Sequence, residues 1–175
     1  MKGRLILMAC ALKIAHHLID LNNFNSCFAI YNGLNMTPIY RLRPTWEALP
    51  SKHQRTFKDL EQLFSGKKNM SNMRQAMAKV EHPCVPHLGV FLGDLTFIDD
   101  GNTNNFGDQI NFDKRRMVAR VIKQLQEYQE HAYYLHEVPV LRDFLLELEG
   151  GMTSEDDLYE MSYKVMPRKR KKRRK

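Results

Sequence analysis

One stretch of 36 residues, HPCVPHLGVFLGDLTFIDDGNTNNFGDQINFDKRRM at 82–117, constrains the fold of this chain more than any other. Leu88, Phe91, Leu92, Leu95 and Ile98 recur at three- and four-residue steps, the spacing of one buried face of an α-helix. Thr96, Asp99 and Asp100 fall off that face, and Gly101, Asn102, Asn104 and Asn105 follow as turn formers with a local excess of negative charge. Asn111 then suits the N-cap of a second helix, because its side-chain oxygen can accept an amide two or three residues on. Met117, Val118, Val121, Ile122, Leu125 and Tyr128 share one face of that second helix. The pattern therefore predicts two antiparallel helices joined by an acidic bend and sharing a core.

The rest of the chain reads as helical too, over about 3–21, 24–34, 51–64, 71–80, 139–148 and 154–163. Ser51, Ser71 and Ser154 stand where N-caps belong, and Pro139 where a first helical turn tolerates proline. No strand pattern or internal repeat is found, and the connections at 36–49, 65–69 and 149–153 are too short to separate two domains. The expected architecture is one all-α domain over residues 1–167, an irregular helical bundle with a protruding helical hairpin. A basic disordered tail at 168–175 follows it.

That tail decides how the net charge is read. The formal charge is +7, but the last eight residues are RKRKKRRK, and without them the body carries −1. A near-neutral body argues against nucleic acid as the partner. The tail itself fits an anionic membrane surface, a nuclear import receptor or a solvated end. Three cysteines, Cys10, Cys27 and Cys84, are odd in number and lack metal-ligand spacing, which fits a reducing compartment. The start imitates a signal peptide, yet Lys13, His16 and His17 interrupt the apolar run while Leu5, Met8, Leu12, Ala15 and Ile19 keep helical spacing. An amphipathic core helix and a cytoplasmic protein are expected, with recruitment to a membrane or entry into the nucleus assigned to the tail.

The run P-C-V-P-x-L-G-x-x-L-x-D-L-T-F-I-x-x-G-N, followed by I-N-F-x-K-R-R, resembles the helical hairpin of the catalytic domain of Ras-type guanine-nucleotide exchange factors (RasGEFs). LNNFNS at 21–26, Asn35 and PIYRL at 38–42 resemble the segments before that hairpin; QEYQ at 126–129 and DLYEMSYKVMPR resemble those after it. The likeness keeps the family's order from about Ile14 to Arg168 and covers the later part of its catalytic domain. Helices that precede the equivalent of Met1 in the family are expected to be missing.

The resemblance implies an exchange factor for a Ras-subfamily small GTPase of the Ras or Rap type. Such a factor promotes GDP release by hairpin insertion without covalent chemistry, cofactor or metal of its own. It assigns the acting positions to Thr96, Asp99 and Asp100, with Thr96 at the wedge and Asp100 matching the acid that intrudes near the metal and phosphate sites. Phe28, Asn35, Tyr40, His87, Gly93, Leu95, Phe97, Asn102 and Met117 are implied as GTPase-binding. LNNFNS is expected to shape a helix junction, and Lys114, Arg115 and Arg116 to support the hairpin or lie in solvent. This chain departs from the pattern at Gly93, where many members carry Thr, at His87, where an aromatic is common, and at Met117, often a basic residue.

Other chemistries fail on inspection. Asp100-x-Asn102-x-Asn104 begins like a calcium loop, but its sixth place is Asn105 and its twelfth Asn111, where Gly and Glu are required. His82, Cys84 and His87 are interrupted by Pro83 and Pro86 and lack a fourth zinc ligand. No G-x-x-x-x-G-K-[ST] loop is present. Two alternatives to an active exchange factor stand: a truncated, inactive GTPase-binding relative, and a nuclear or nucleic-acid-binding protein acting through its tail.

Overall fold

Met8, Leu12 and Ala15 are buried along one stripe of α1 (Lys2–Asp20), which packs on α2 (Phe24–Asn35) and α5 (Ser51–Leu63). Phe24, Cys27 and Leu34 of α2, with Phe57 and Leu60 of α5, close the same core. The computed structural model describes residues 1–147 and 154–167, so the basic run at 168–175 lies outside the described residues. The remaining elements are α3 (Thr37–Tyr40), α4 (Arg43–Glu47), α6 (Lys67–Met77), α7 (Leu88–Gly101), the strands β1 (Asn105–Phe106) and β2 (Gln109–Ile110), α8 (Phe112–Glu127), α9 (Pro139–Glu147) and α10 (Glu155–Val165). The fold is all-α, an irregular bundle from which the α7–α8 pair extends as a hairpin.

Several expectations need correction. The connection at 36–49 holds two short helices, each opened by a proline, Pro38 and Pro44, whose fixed φ suits a first turn. Ser51 is the first residue of α5 and does not cap it; Pro50 holds the N-cap position. Ser71 lies within α6, although Lys68, Asn69 and Met70 just before it have φ of 49°, 53° and 54°. Right-handed helix therefore resumes only after that left-handed turn, whose residues each cost about 1–2 kcal/mol. The two-residue strands β1 and β2 pair antiparallel around Gly107 and Asp108, a reversal that Gly107 makes with φ of 61°. Ser154 does cap α10, in a reciprocal box with Asp157.

The asparagines of LNNFNS join two parts of the molecule. Asn23 caps α2 by accepting from the Ser26 amide, and Asn22 sits at φ 56° with its amide donating to the carbonyls of Glu81 and Pro83. Phe24 N–H donates to Val85 C=O, and Val85 N–H to Asn22 C=O, so the α1–α2 corner anchors the PCVP segment at the hairpin's root. Arg41 performs a similar task for the last described helix. Its guanidinium donates to the Ser162 and Met166 carbonyls at 2.8 Å and lies 4.2 Å from the Tyr163 ring, which holds the end of α10 against α3. Among the described residues no helix is long and apolar enough to cross a membrane.

Candidate functional site

The hairpin's first helix is buried only near its start. Val90 and Phe91 are in the core, and Leu95 and Ile98 are half-buried. Leu88 and Leu92, expected on the buried face, are exposed. The apolar pattern spreads too widely around α7 for all of it to pack, because α8 covers one side and the core reaches only the base. Thr96, Phe97, Asp99 and Asp100 consequently stand on the exposed end, with Phe97 68% exposed.

Polar contacts, not burial, fix that end. Lys114 of α8 is 2% exposed, and its ammonium reaches the Asp99 carbonyl at 3.1 Å, the Asn102 carbonyl at 2.8 Å and the Asp99 carboxylate at 2.6 Å. A cation placed on the last carbonyls of α7 satisfies acceptors that the helix cannot, and meets the negative end of its dipole. A buried ammonium would otherwise be costly; here three acceptors compensate it. The ammonium beside Asp99 also holds that carboxyl below the usual carboxylate range. Asn111, buried at the foot of α8, caps it by accepting from the Lys114 amide and donates to the Thr103 carbonyl, closing the bend from the other side. Asn102 turns its amide back onto the Ile98 carbonyl at 2.9 Å.

The two tip acids thus differ. Asp99 is engaged by Lys114, whereas Asp100 is exposed and has no ion pair among the described residues. Thr96 donates its hydroxyl to the Leu92 carbonyl one turn back, so its polar atom is used internally. Gly93 is half-buried on α7, and a Cβ there would meet nothing within 4 Å. Phe97, Asn102 and Met117 line one groove of about 440 Å³ beside the hairpin, with Asp94 and Arg120 at its walls.

A second lock holds the hairpin to the bundle. Arg74 of α6 makes paired 2.7 Å bonds to both oxygens of Asp94 on α7, and its Nε donates to the carbonyl of Asn69 in the left-handed turn. One guanidinium thereby secures a strained turn and the first hairpin helix together.

At the base, rings carry the connection. His87, which precedes α7, lies 4.3 Å from Phe28; Phe28 contacts Phe64, Phe64 contacts Tyr31, Tyr31 contacts Phe57, and Phe57 contacts Trp46 and Tyr40. Asn35 is tied to this spine by a 3.4 Å bond from its amide to the Tyr31 hydroxyl. Burial pushes the His87 imidazole below its ordinary pKa, and its buried Nδ1 has no partner among the described residues, so the ring serves as an aromatic surface. Gly89 permits this placement, since a Cβ there would stand 2.8 Å from His87 Nε2. At the far end of the spine, Tyr40, Trp46 and Phe57 border a cleft of about 350 Å³ rimmed by Arg43, Glu47 and Glu61.

The residues singled out from the sequence therefore fall into two groups, one on the hairpin, exposed at Thr96, Phe97, Asp99 and Asp100 and half-buried at Gly93, Leu95 and Met117, and one along the spine. The locks at Arg74–Asp94 and Lys114–Asp99 were not foreseen as pairs. The partners lie 20 and 15 residues apart, and only the basic start of the second helix hinted at support.

The chain is similar in sequence to known proteins. A family model described as the RasGEF domain matches residues 1–116. Ras guanine nucleotide exchange factor Y of Dictyostelium discoideum is 40% identical over 157 residues, which cover 89% of this chain and 10% of that protein. Ras guanine nucleotide exchange factor A of the same organism is 39% identical over 182 residues, covering 96% and 30%. Ras-specific guanine nucleotide-releasing factor 2 of Danio rerio is 34% identical over 150 residues, covering 85% and 12%. The chain spans less than a third of the length of each of these relatives. With a family model matched over residues 1–116, a span that includes the hairpin's root and first helix, the chain belongs to the RasGEF domain family.

Proposed function

We propose that the protein is a guanine-nucleotide exchange factor for a Ras-subfamily GTPase of the Ras or Rap type, acting by insertion of the α7–α8 hairpin. The observation that carries this reading is the locked hairpin end, on which Lys114 fixes the last turn of α7 and leaves Thr96, Phe97 and Asp100 exposed. The relatives' names, which are those of Ras exchange or releasing factors, support the partner class.

No bond is broken in such a reaction. Picomolar nucleotide binding corresponds to about −16 kcal/mol, so a factor must spend its own affinity for the empty GTPase to weaken the nucleotide, and the coupling is reciprocal. Asp100 is suited to this task because an unpaired carboxylate repels phosphate and can engage cationic groups that lose their anion. Phe97, Leu92 and Leu88 offer the apolar surface that holds the empty state. A wedge transmits force only if it is rigid, and Lys114, Asn111 and the Arg74–Asp94 pair supply that rigidity. The spine from His87 to Tyr40 offers the second contact, with Asn35 beside it.

The chain is further proposed to work in the cytoplasm, with the basic run at 168–175 drawing it to an anionic surface. The deciding measurement is release of a labelled guanine nucleotide from a panel of Ras, Rap and Ral proteins by wild type and Asp100→Ala. Acceleration by wild type that falls at least about tenfold in Asp100→Ala is expected. No acceleration of any GTPase by folded wild type would remove the reading.

A further inference from the structure

Away from the hairpin, a cleft of about 360 Å³ opens between the later half of α1 and the first turns of α5. Lys13, His16 and His17 line it from α1, and Lys52, His53 and Thr56 from α5, over the buried Leu12. Among the described residues no carboxylate lines it; Asp20 stands 3.7 Å from His17 at one side. Neither Lys13 nor Lys52 has an ion pair among the described residues. The first turn of α5 contains no acidic residue, so the positive end of this 13-residue helix adds to the field. Concave walls lined by one sign of charge focus potential and gather counter-ions of the opposite sign.

The surface beside the cleft is apolar. Leu7, Cys10 and Ile14 form an exposed stripe on α1, with Leu7 72% and Ile14 48% exposed. Lys13 and His17 are the neighbours of Cys10 and Ile14 at three-residue steps, so stripe and cleft are one continuous surface. A soluble phosphate would use the cleft and leave the stripe wet. A bilayer surface uses both, since apolar side chains enter the boundary region while cations meet the phosphates.

We propose that this cleft seats the phosphate-bearing headgroup of an anionic phospholipid, with Leu7, Cys10 and Ile14 resting on the bilayer. The site is separate from the hairpin and stands whether or not the protein releases nucleotide. It is also separate from the terminal basic run, which any test must neutralise.

The experiment is co-sedimentation of the 175-residue chain, with residues 168–175 replaced by serine, on vesicles of phosphatidylcholine with and without phosphatidylinositol bisphosphate. Partition onto the phosphoinositide vesicles alone is expected. Lys13→Glu with Lys52→Glu reduces it at least about tenfold, and Lys13→Arg with Lys52→Arg retains it. Leu7→Asn with Ile14→Asn weakens it several-fold. Equal partition by the Glu pair, with circular dichroism and thermal unfolding unchanged, would overturn the site. Lysine-dependent binding of soluble inositol trisphosphate without any effect of the Asn pair on vesicles would overturn the lipid assignment in favour of a soluble anion.

Discussion

The α1–α2–α5 body and the α7–α8 hairpin are both built of packed helices, yet they are held by different forces. In the body, Leu12, Ala15 and Cys27 are wholly buried and Phe24 and Leu60 nearly so; stability there grows with apolar area removed from water and has no direction. In the hairpin, Leu88, Leu92, Phe97, Phe106, Ile110 and Phe112 are exposed, and position is set by Lys114, Asn111, Asn102 and the Arg74–Asp94 pair. Hydrogen bonds are directional and contribute about 1 kcal/mol each in net stability. A body built on area should therefore respond to lost volume, and a hairpin built on bonds to lost geometry.

The largest expected effect lies in the body. Leu12→Ala should destabilise by about 3 kcal/mol, read in chemical denaturation, while nucleotide release per folded molecule is unchanged. Lys114→Met is the reverse case. It should lower stability by only about 1–2 kcal/mol, because the freed carbonyls lie near water, yet reduce nucleotide release at least about tenfold. Release that merely tracks the folded fraction would erase the distinction between the two regions. Gly93→Ala should stabilise by about 1 kcal/mol in thermal unfolding, since α7 loses a flexible residue and the new methyl meets open space.

The smallest effect concerns His87, where the two regions meet. Its folded pKa is lowered by burial, so the unfolded chain binds the extra proton. That part of stability is present above the unfolded pKa of about 6.5 and declines as pH falls below it. Denaturation midpoints should drop between neutral and mildly acidic pH in wild type, and this component should be absent in His87→Phe.

The first helix was legible because Leu5, Met8, Leu12, Ala15 and Ile19 repeat at helical spacing. Asn111 and Ser154 were legible as caps because their chemistry is local. What periodicity could not convey is which of several apolar stripes is covered, and so Leu88 and Leu92 were placed inside. Nor does a sequence pattern disclose a bond whose partners are set by tertiary approach. Arg74 meets Asp94 20 residues on, after a left-handed turn at 68–70, and three consecutive non-glycine residues with positive φ are not what Lys, Asn and Met in a row lead one to expect. The strand pair at 105–110 was missed because two residues per strand show no alternation.

Trp46 is the only tryptophan in the chain, and it sits 4.4 Å from the Phe57 ring and 6.3 Å from that of Tyr40, half-buried at the mouth of the Tyr40 cleft. The molecule thus carries one indole that can be excited apart from its seven tyrosines, placed at the Tyr40 end of the aromatic spine. If a partner docks beside Tyr40 as proposed, its emission should change on docking without any added dye. Paired with a labelled nucleotide, that signal would time the proposed docking at the spine separately from departure of the nucleotide, in one cuvette.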